Sequence, residues 1–178
     1  TAGSVGIGSY DDLGALADLA RDETVWLHVD AAFGFWIRLA EQPWAGLADG
    51  IGRADSIALD LHKWIGVPYA CGACLIADAE LHRETFTSRP DYLASGTGGR
   101  ADGDTGYCDY GMDLSRGFVA LKVWASLAAL GREAFGRAIT DNCRQAALMG
   151  RLAEETPGLD LAVPVMSNIC CIFTPGHD

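Results

Sequence analysis

Residues 54–76 read ADSIALDLHKWIGVPYACGACLI, and this stretch decides the fold. A short apolar run from Ser56 to Leu61 leads into His62-Lys63-Trp64. A turn marked by Gly66 and Pro68 follows, and a second apolar run begins at Cys71. Short apolar runs bounded by glycine and proline predict strand, turn, strand. The connection through residues 66–70 is too brief for a parallel crossover, so the two strands are expected to be antiparallel. A lysine that closes a buried strand is costly to desolvate, and that cost favours the neutral, nucleophilic amine. Lys63 is therefore a candidate for condensation with an aldehyde cofactor. The alternative is a surface lysine snorkelling from a strand end.

A second stretch, VWLHVDAAFGF at residues 25–35, favours the chemical reading. A β-branched and aromatic run ends at Asp30 and is followed by Ala31, Ala32 and Gly34. Two neighbouring strands ending in an acid and an amine, each beside small residues, fit an α/β sheet whose ligands sit beyond the carboxyl ends of parallel strands. Upstream, Asp11-Asp12 is positioned to cap a helix running to about Arg21, with Leu13, Leu16, Leu19 and Ala20 on one face. Helix and strand thus alternate, with strands expected over residues 25–30, 56–61 and 71–77.

Beyond Ile76 a short helix is expected over residues 79–87. Residues 88–112 are polar, glycine-rich and aperiodic, the pattern of a lid, a binding loop or a disordered stretch. Ser115 is expected to cap a helix that stops near Gly131, and a second helix runs from about Glu133 to Glu155, ended by Pro157-Gly158. Residues 159–165 and 168–174 read as strands of a further domain.

The chain has 178 residues, 49% hydrophobic and 21% charged, which supplies enough apolar material for a core. A net charge of -11 argues against nucleic acid and against anionic membrane surfaces as partners. Lys122 interrupts the best apolar run, so no membrane span is expected. The first residues lack the basic and apolar regions of a secretory signal. The six cysteines form no regular framework, which fits reduced thiols in a cytoplasmic protein. Cys71 and Cys74 make a single C-x-x-C without two further ligands at suitable spacing, so no metal site is expected.

HVDAAFG followed about thirty residues later by ADSIALDLHKW resembles the group II pyridoxal-phosphate-dependent amino-acid decarboxylases, which include the aromatic-amino-acid and glutamate decarboxylases. SRGFVALKVW at residues 115–124 and PDYL at residues 90–93 also match family segments, so the likeness covers nearly the whole chain. The resemblance implies an α/β fold: part of a fold type I large domain, with a mixed, mostly parallel sheet flanked by helices, followed by the start of a small α+β domain. Residues 1–140 would be the carboxyl-side half of the cofactor-binding domain, with a mobile loop at about 88–112, and residues 141–178 would open the small domain. It also implies a piece of a polypeptide of roughly 450 to 500 residues, inactive alone and a homodimer when complete.

By the same resemblance the cofactor is pyridoxal 5'-phosphate and the substrate an L-amino acid, which loses carbon dioxide to become an amine. Lys63 would hold the cofactor, Asp30 would keep its ring nitrogen protonated, and Ala32 would lie against the ring. His62 would sit near the phosphate or the substrate; a hydrogen-bonded structural histidine is the alternative. Asp60 would help to order the phosphate end. Ser4 stands where the family has threonine in a TAGTT-like segment, and Trp64 is read as packing. Arg116 is either an anion partner or half of a helix-start ion pair. An aminotransferase-like or aldehyde-forming relative and a non-catalytic split-gene product are the rival readings.

The family's mobile loop carries a tyrosine that protonates the carbanion, and its aldehyde-forming relatives have phenylalanine there; Tyr92 occupies that place. Tyr92→Phe is expected to shift products from amine towards aldehyde, read by chromatography of the reaction mixture. Unchanged amine output would remove Tyr92 from the reaction.

Overall fold

The computed structural model describes residues 1–87 and 107–176, which form two compact units. One comprises residues 1–75 and 119–176, and the other comprises residues 76–87 and 107–118.

In the first unit, α1 (Leu13–Glu23) starts where the carboxylate of Asp12 accepts the Ala15 N–H at 2.9 Å. That bond satisfies one of the free amides of the first turn. Thr24 ends the helix in the left-handed region (φ 55°), and Val25 N–H returns to the Ala20 carbonyl at 2.9 Å. This cap uses the amide of Val25, and the amide of Leu27 goes to the Asp55 carboxylate at 2.7 Å. The strand expected from residue 25 is therefore only β1 (His28–Asp30), and Val25 and Trp26 are exposed.

β1 pairs in parallel with β2 (Ser56–Asp60), with His28 opposite Ser56, Val29 opposite Ile57 and Asp30 opposite Ala58. The pairing outlasts β1: Ala31 N–H donates to the Ala58 carbonyl at 2.9 Å, and Asp60 N–H donates to the Ala32 carbonyl at 3.1 Å. β3 (Gly72–Ile76) completes the order β1-β2-β3. Leu61 N–H donates to the Cys71 carbonyl at 2.9 Å, and Gly72 lies against the Asp60 side chain, the opposed numbering of a hairpin.

The segment between β1 and β2 winds through 3-10 turns at Gly34–Leu39, Trp44–Ala48 and Ile51–Arg53. Their buried side chains, Ile37, Ala48 and Ile51, join Leu13, Val29, Ile57 and Leu61 in one core. A long helix, α3 (Val119–Glu154), closes the other side of that core with Phe135, Ile139 and Cys143. It is two helices joined at Gly131, whose φ of 74° is non-helical. The helix begins four residues beyond the expected cap, since Gly117 sits where a Ser115-capped first turn would need helical backbone. Thr140, 1% exposed, accepts the Glu41 N–H at 2.9 Å, and Arg144 pairs with Glu41 at 2.7 Å. Both contacts fix α3 to the end of the first 3-10 turn.

The two strands expected near the carboxyl end reduce to β4 (Asp160–Leu161) and β5 (Ile172–Phe173), antiparallel to each other. Pro164 lacks the amide that a continuing ladder would need.

The second unit holds α2 (Ala79–Phe86), capped by the Asp78 carboxylate on Leu81 N–H at 2.9 Å. His82 lies against the rings of Phe86 and Tyr110, at 5.4 and 5.2 Å between centroids.

Cys143 has no exposed surface, and burial pushes its thiol up to about 11; burial also pushes the phenol of Tyr10 up. A raised native pKa gives stability that is complete below the unfolded-state value and is lost as pH rises through the native one. The protein is therefore expected to lose about 1–2 kcal/mol of stability from Cys143 between pH 9 and 11. Cys143→Ala should flatten that part of the denaturation-midpoint profile. An unchanged slope in the variant would contradict the burial argument.

Candidate functional site

Asp30, Ala32, Asp60, His62 and Lys63 lie at or just past the carboxyl ends of β1 and β2. Asp30 is the last residue of β1 and is exposed. One of its carboxylate oxygens accepts the Ala32 N–H at 3.0 Å, while its backbone carbonyl accepts the Ala2 N–H at 2.8 Å. Ala32 is half-buried, and its carbonyl is the one bonded to Asp60 N–H. The Asp30 turn and the end of β2 are thus tied through backbone, which no side-chain substitution at either place removes.

Asp60 is the last residue of β2. Its carboxylate lies 2.8 Å from the Lys63 ammonium and 3.9 Å from His62 Nε2. Its carbonyl accepts the Trp36 indole N–H at 2.9 Å. Two groups named from sequence, Lys63 and His62, therefore share the carboxylate of a third, Asp60. The structure corrects the setting of Lys63. The lysine stands three residues past the strand, in the turn, with its side chain 37% exposed. Its ammonium faces the carboxylate of Asp60. The turn begins at Leu61 because Leu61 N–H and Val67 N–H close a loop, the first onto Cys71 and the second onto the Leu61 carbonyl at 3.0 Å.

His62 is half-buried. Its Nδ1 lies 3.1 Å from the Cys71 amide nitrogen and 2.8 Å from the Cys71 carbonyl, and the Tyr69 ring packs on it at 4.4 Å. With Nδ1 engaged by backbone, Nε2 is the nitrogen left to face Asp60. Trp64 stacks on Phe33 at 5.3 Å, 7° from parallel, and donates its indole N–H to Asn142 at 3.0 Å, as a packing residue does.

Ser4 belongs to a loop that returns on itself. Its hydroxyl lies 2.9 Å from that of Ser9, and Ser9 N–H donates to it at 3.2 Å. The loop reaches the Asp30 turn through Ala2, whose carbonyl accepts Gly34 N–H at 3.1 Å. Gly34 is fixed by this approach: a Cβ there would stand 2.4 Å from the Ala2 carbonyl oxygen. Tyr10 adds its hydroxyl to the Gly34 carbonyl at 3.2 Å.

Tyr92 lies outside the described residues. Arg116, in the second unit, pairs with Asp113 at 3.8 Å, the ion-pair alternative of the sequence reading. Trp36, Tyr69 and Ser9 escaped the sequence reading. Only Tyr69 carried a signal, as an aromatic beside Pro68 in the turn that follows the lysine.

A carboxylate at one strand end, a primary amine and an imidazole at the next, and small residues between them form a donor set suited to pyridoxal phosphate. The model for the pyridoxal-dependent decarboxylase conserved domain matches residues 1–173. The chain belongs to that family. An aromatic-L-amino-acid decarboxylase of Bacillus atrophaeus is 42% identical over 138 residues, 78% of this chain and 28% of the relative. A 3,4-dihydroxyphenylacetaldehyde synthase of Aedes aegypti is 30% identical over 96% of this chain and 32% of its own length. Mouse CSAD superposes with a TM-score of 0.83 at 26% identity, covering 97% of this chain and 35% of that one. The chain thus spans about a third of the length of these relatives. The fold is that of the family, a mixed α/β arrangement. Among the described residues no helix is long and apolar enough to cross a membrane.

Asp60→Asn keeps the shape of the side chain and removes the charge that holds the Lys63 ammonium. Acylation of Lys63 in ligand-free protein, followed by mass spectrometry, is expected to quicken about two- to fivefold, the size that a partly exposed ion pair supports. An unaltered rate would mean that Asp60 does not restrain the amine.

Proposed function

We propose that the polypeptide carrying this chain is a pyridoxal-phosphate-dependent carboxy-lyase that converts an L-amino acid to its amine and carbon dioxide. The observation that carries this reading is the backbone tie from Ala32 to Asp60. It joins the turn that follows Asp30 to the end of β2, three residues before Lys63. Membership of the family and the donor set at those strand ends support it.

When bound, the cofactor supplies an electron sink for the pair released as carbon dioxide departs. The residues have complementary parts. Lys63 would hold the cofactor through its primary amine, and Asp60, 2.8 Å from that amine, would help to order the phosphate end. Asp30, with one oxygen held by Ala32 N–H, keeps the other for a protonated ring nitrogen. Ala32 leaves room for a flat ring. His62 serves the phosphate end through Nε2, and Ser4 offers a hydroxyl at the border of the cofactor. Tyr92 returns a proton to the substrate carbon.

In this reading residues 1–140 complete the cofactor-binding domain and residues 141–178 open the small one. The protein is a homodimer, as the family resemblance implies, and works in the cytoplasm, which the free thiols of Cys71, Cys74, Cys143, Cys170 and Cys171 favour. An aldehyde-forming reaction is the second reading, favoured by the likeness to the mosquito synthase and opposed by the tyrosine at position 92.

The full-length protein with pyridoxal phosphate is expected to show the visible absorption of a lysine-bound cofactor and to release amine from at least one amino acid. Lys63→Ala should abolish both while leaving the melting temperature of the cofactor-free protein within about 3 °C. Persistence of the absorption in the variant would remove Lys63 from the role, and with it the reading.

A further inference from the structure

Lys122 stands in the first turn of α3, and its ammonium donates to two backbone carbonyls, those of Tyr69 and Ala70, each at 2.9 Å. Charge-assisted bonds of this kind are among the stronger hydrogen bonds a protein makes. Between the buried Val67 and Cys71 the chain rises to the surface, with Tyr69 79% exposed and Pro68 and Ala70 exposed, and the Lys122 ammonium holds that exposed part. That segment governs His62. Tyr69 packs its ring on the imidazole at 4.4 Å, and Cys71 brings its amide and carbonyl to Nδ1 at 3.1 and 2.8 Å. Lys122 thus lies one connection away from the histidine beside Lys63 and Asp60, although sixty positions separate it from His62 in the chain.

We infer that Lys122 is a positioning residue: by clamping the Tyr69 and Ala70 carbonyls it fixes the plane of the His62 ring, and so the direction in which Nε2 faces the cofactor. The inference rests on the proposed place of His62 at the phosphate end of pyridoxal phosphate. A neutral side chain of similar length cannot hold both carbonyls with a charge, whereas arginine can. The clamp acts through geometry alone, because Lys122 needs no contact with the cofactor to exert it.

The test uses the full-length protein stripped of cofactor and titrated with pyridoxal phosphate, with amide hydrogen exchange across residues 68–72 as a second readout. Lys122→Met is expected to weaken cofactor binding about tenfold and to speed exchange in that segment, since it removes both charged bonds. Lys122→Arg should restore both. Placed on a His62→Phe background, Lys122→Met should add no further loss of affinity, because the two act through one ring. If Lys122→Met speeds exchange but leaves affinity intact while His62→Phe weakens it, the inference falls and the placement of His62 stands. If His62→Phe leaves affinity intact, the placement of His62 falls and the inference with it. A full additional loss on the His62→Phe background would show that Lys122 acts by another route and would overturn the inference. Should the methionine variant not fold, Lys122→Gln carries the same comparisons.

Discussion

The parallel pairing of two short strands, carried past their ends by backbone bonds, is the constraint on which the candidate site depends. β1 is three residues long and β2 five. Neither would hold a turn in place by itself. What makes the arrangement firm is that the ladder continues through Ala31 and Ala32 to Ala58 and Asp60. Side chains at Asp30 and Asp60 can then project from a rigid base, since their neighbours' amides and carbonyls are already spent. Ala31 has no exposed surface, so a larger residue there would have to displace core to keep the ladder.

Around that base the chain stacks successive supports. The loop through Ser4 is held by the hydroxyl of Ser9 and docks through Ala2 on the Asp30 turn. The turn through Lys63 is closed by Cys71 and Val67. α3 fastens the Lys63 turn through Asn142 on Trp64, and the end of the first 3-10 turn through Thr140. Each support comes from a different part of the sequence, and each fastens backbone or an aromatic ring in preference to a flexible tip.

One carboxylate has more to do than its neighbours. Asp60 faces Lys63 and His62 with its side chain and receives Trp36 with its carbonyl, while its amide extends the ladder. A single substitution there touches the base of the site and its charge together. Asp30 divides its labour differently, holding Ala32 N–H with one oxygen while the strand holds its backbone. The two acids thus have distinct environments, a partly buried one against a cation and an exposed one at a strand tip, which suits two different tasks.

Much of this was legible in the residues. The cap at Asp12 follows from a short side chain that accepts an amide proton, and the strands at 56–60 and 72–76 follow from apolar runs. The motif pair HVDAAFG and ADSIALDLHKW, in that order and spacing, sufficed to point to the family. The sequence could not say that Lys63 would leave the strand and pair with Asp60, since an ion pair within a turn depends on how the turn closes. It could not shorten β1, because the competing bonds, Val25 to Ala20 and Leu27 to Asp55, join residues with no shared pattern. Nor could it bring Lys122 to the Tyr69 carbonyl, a contact across 53 positions that exists only once α3 has packed. Local chemistry and periodicity are written along the chain; the partners of backbone groups in turns are settled only when distant segments meet.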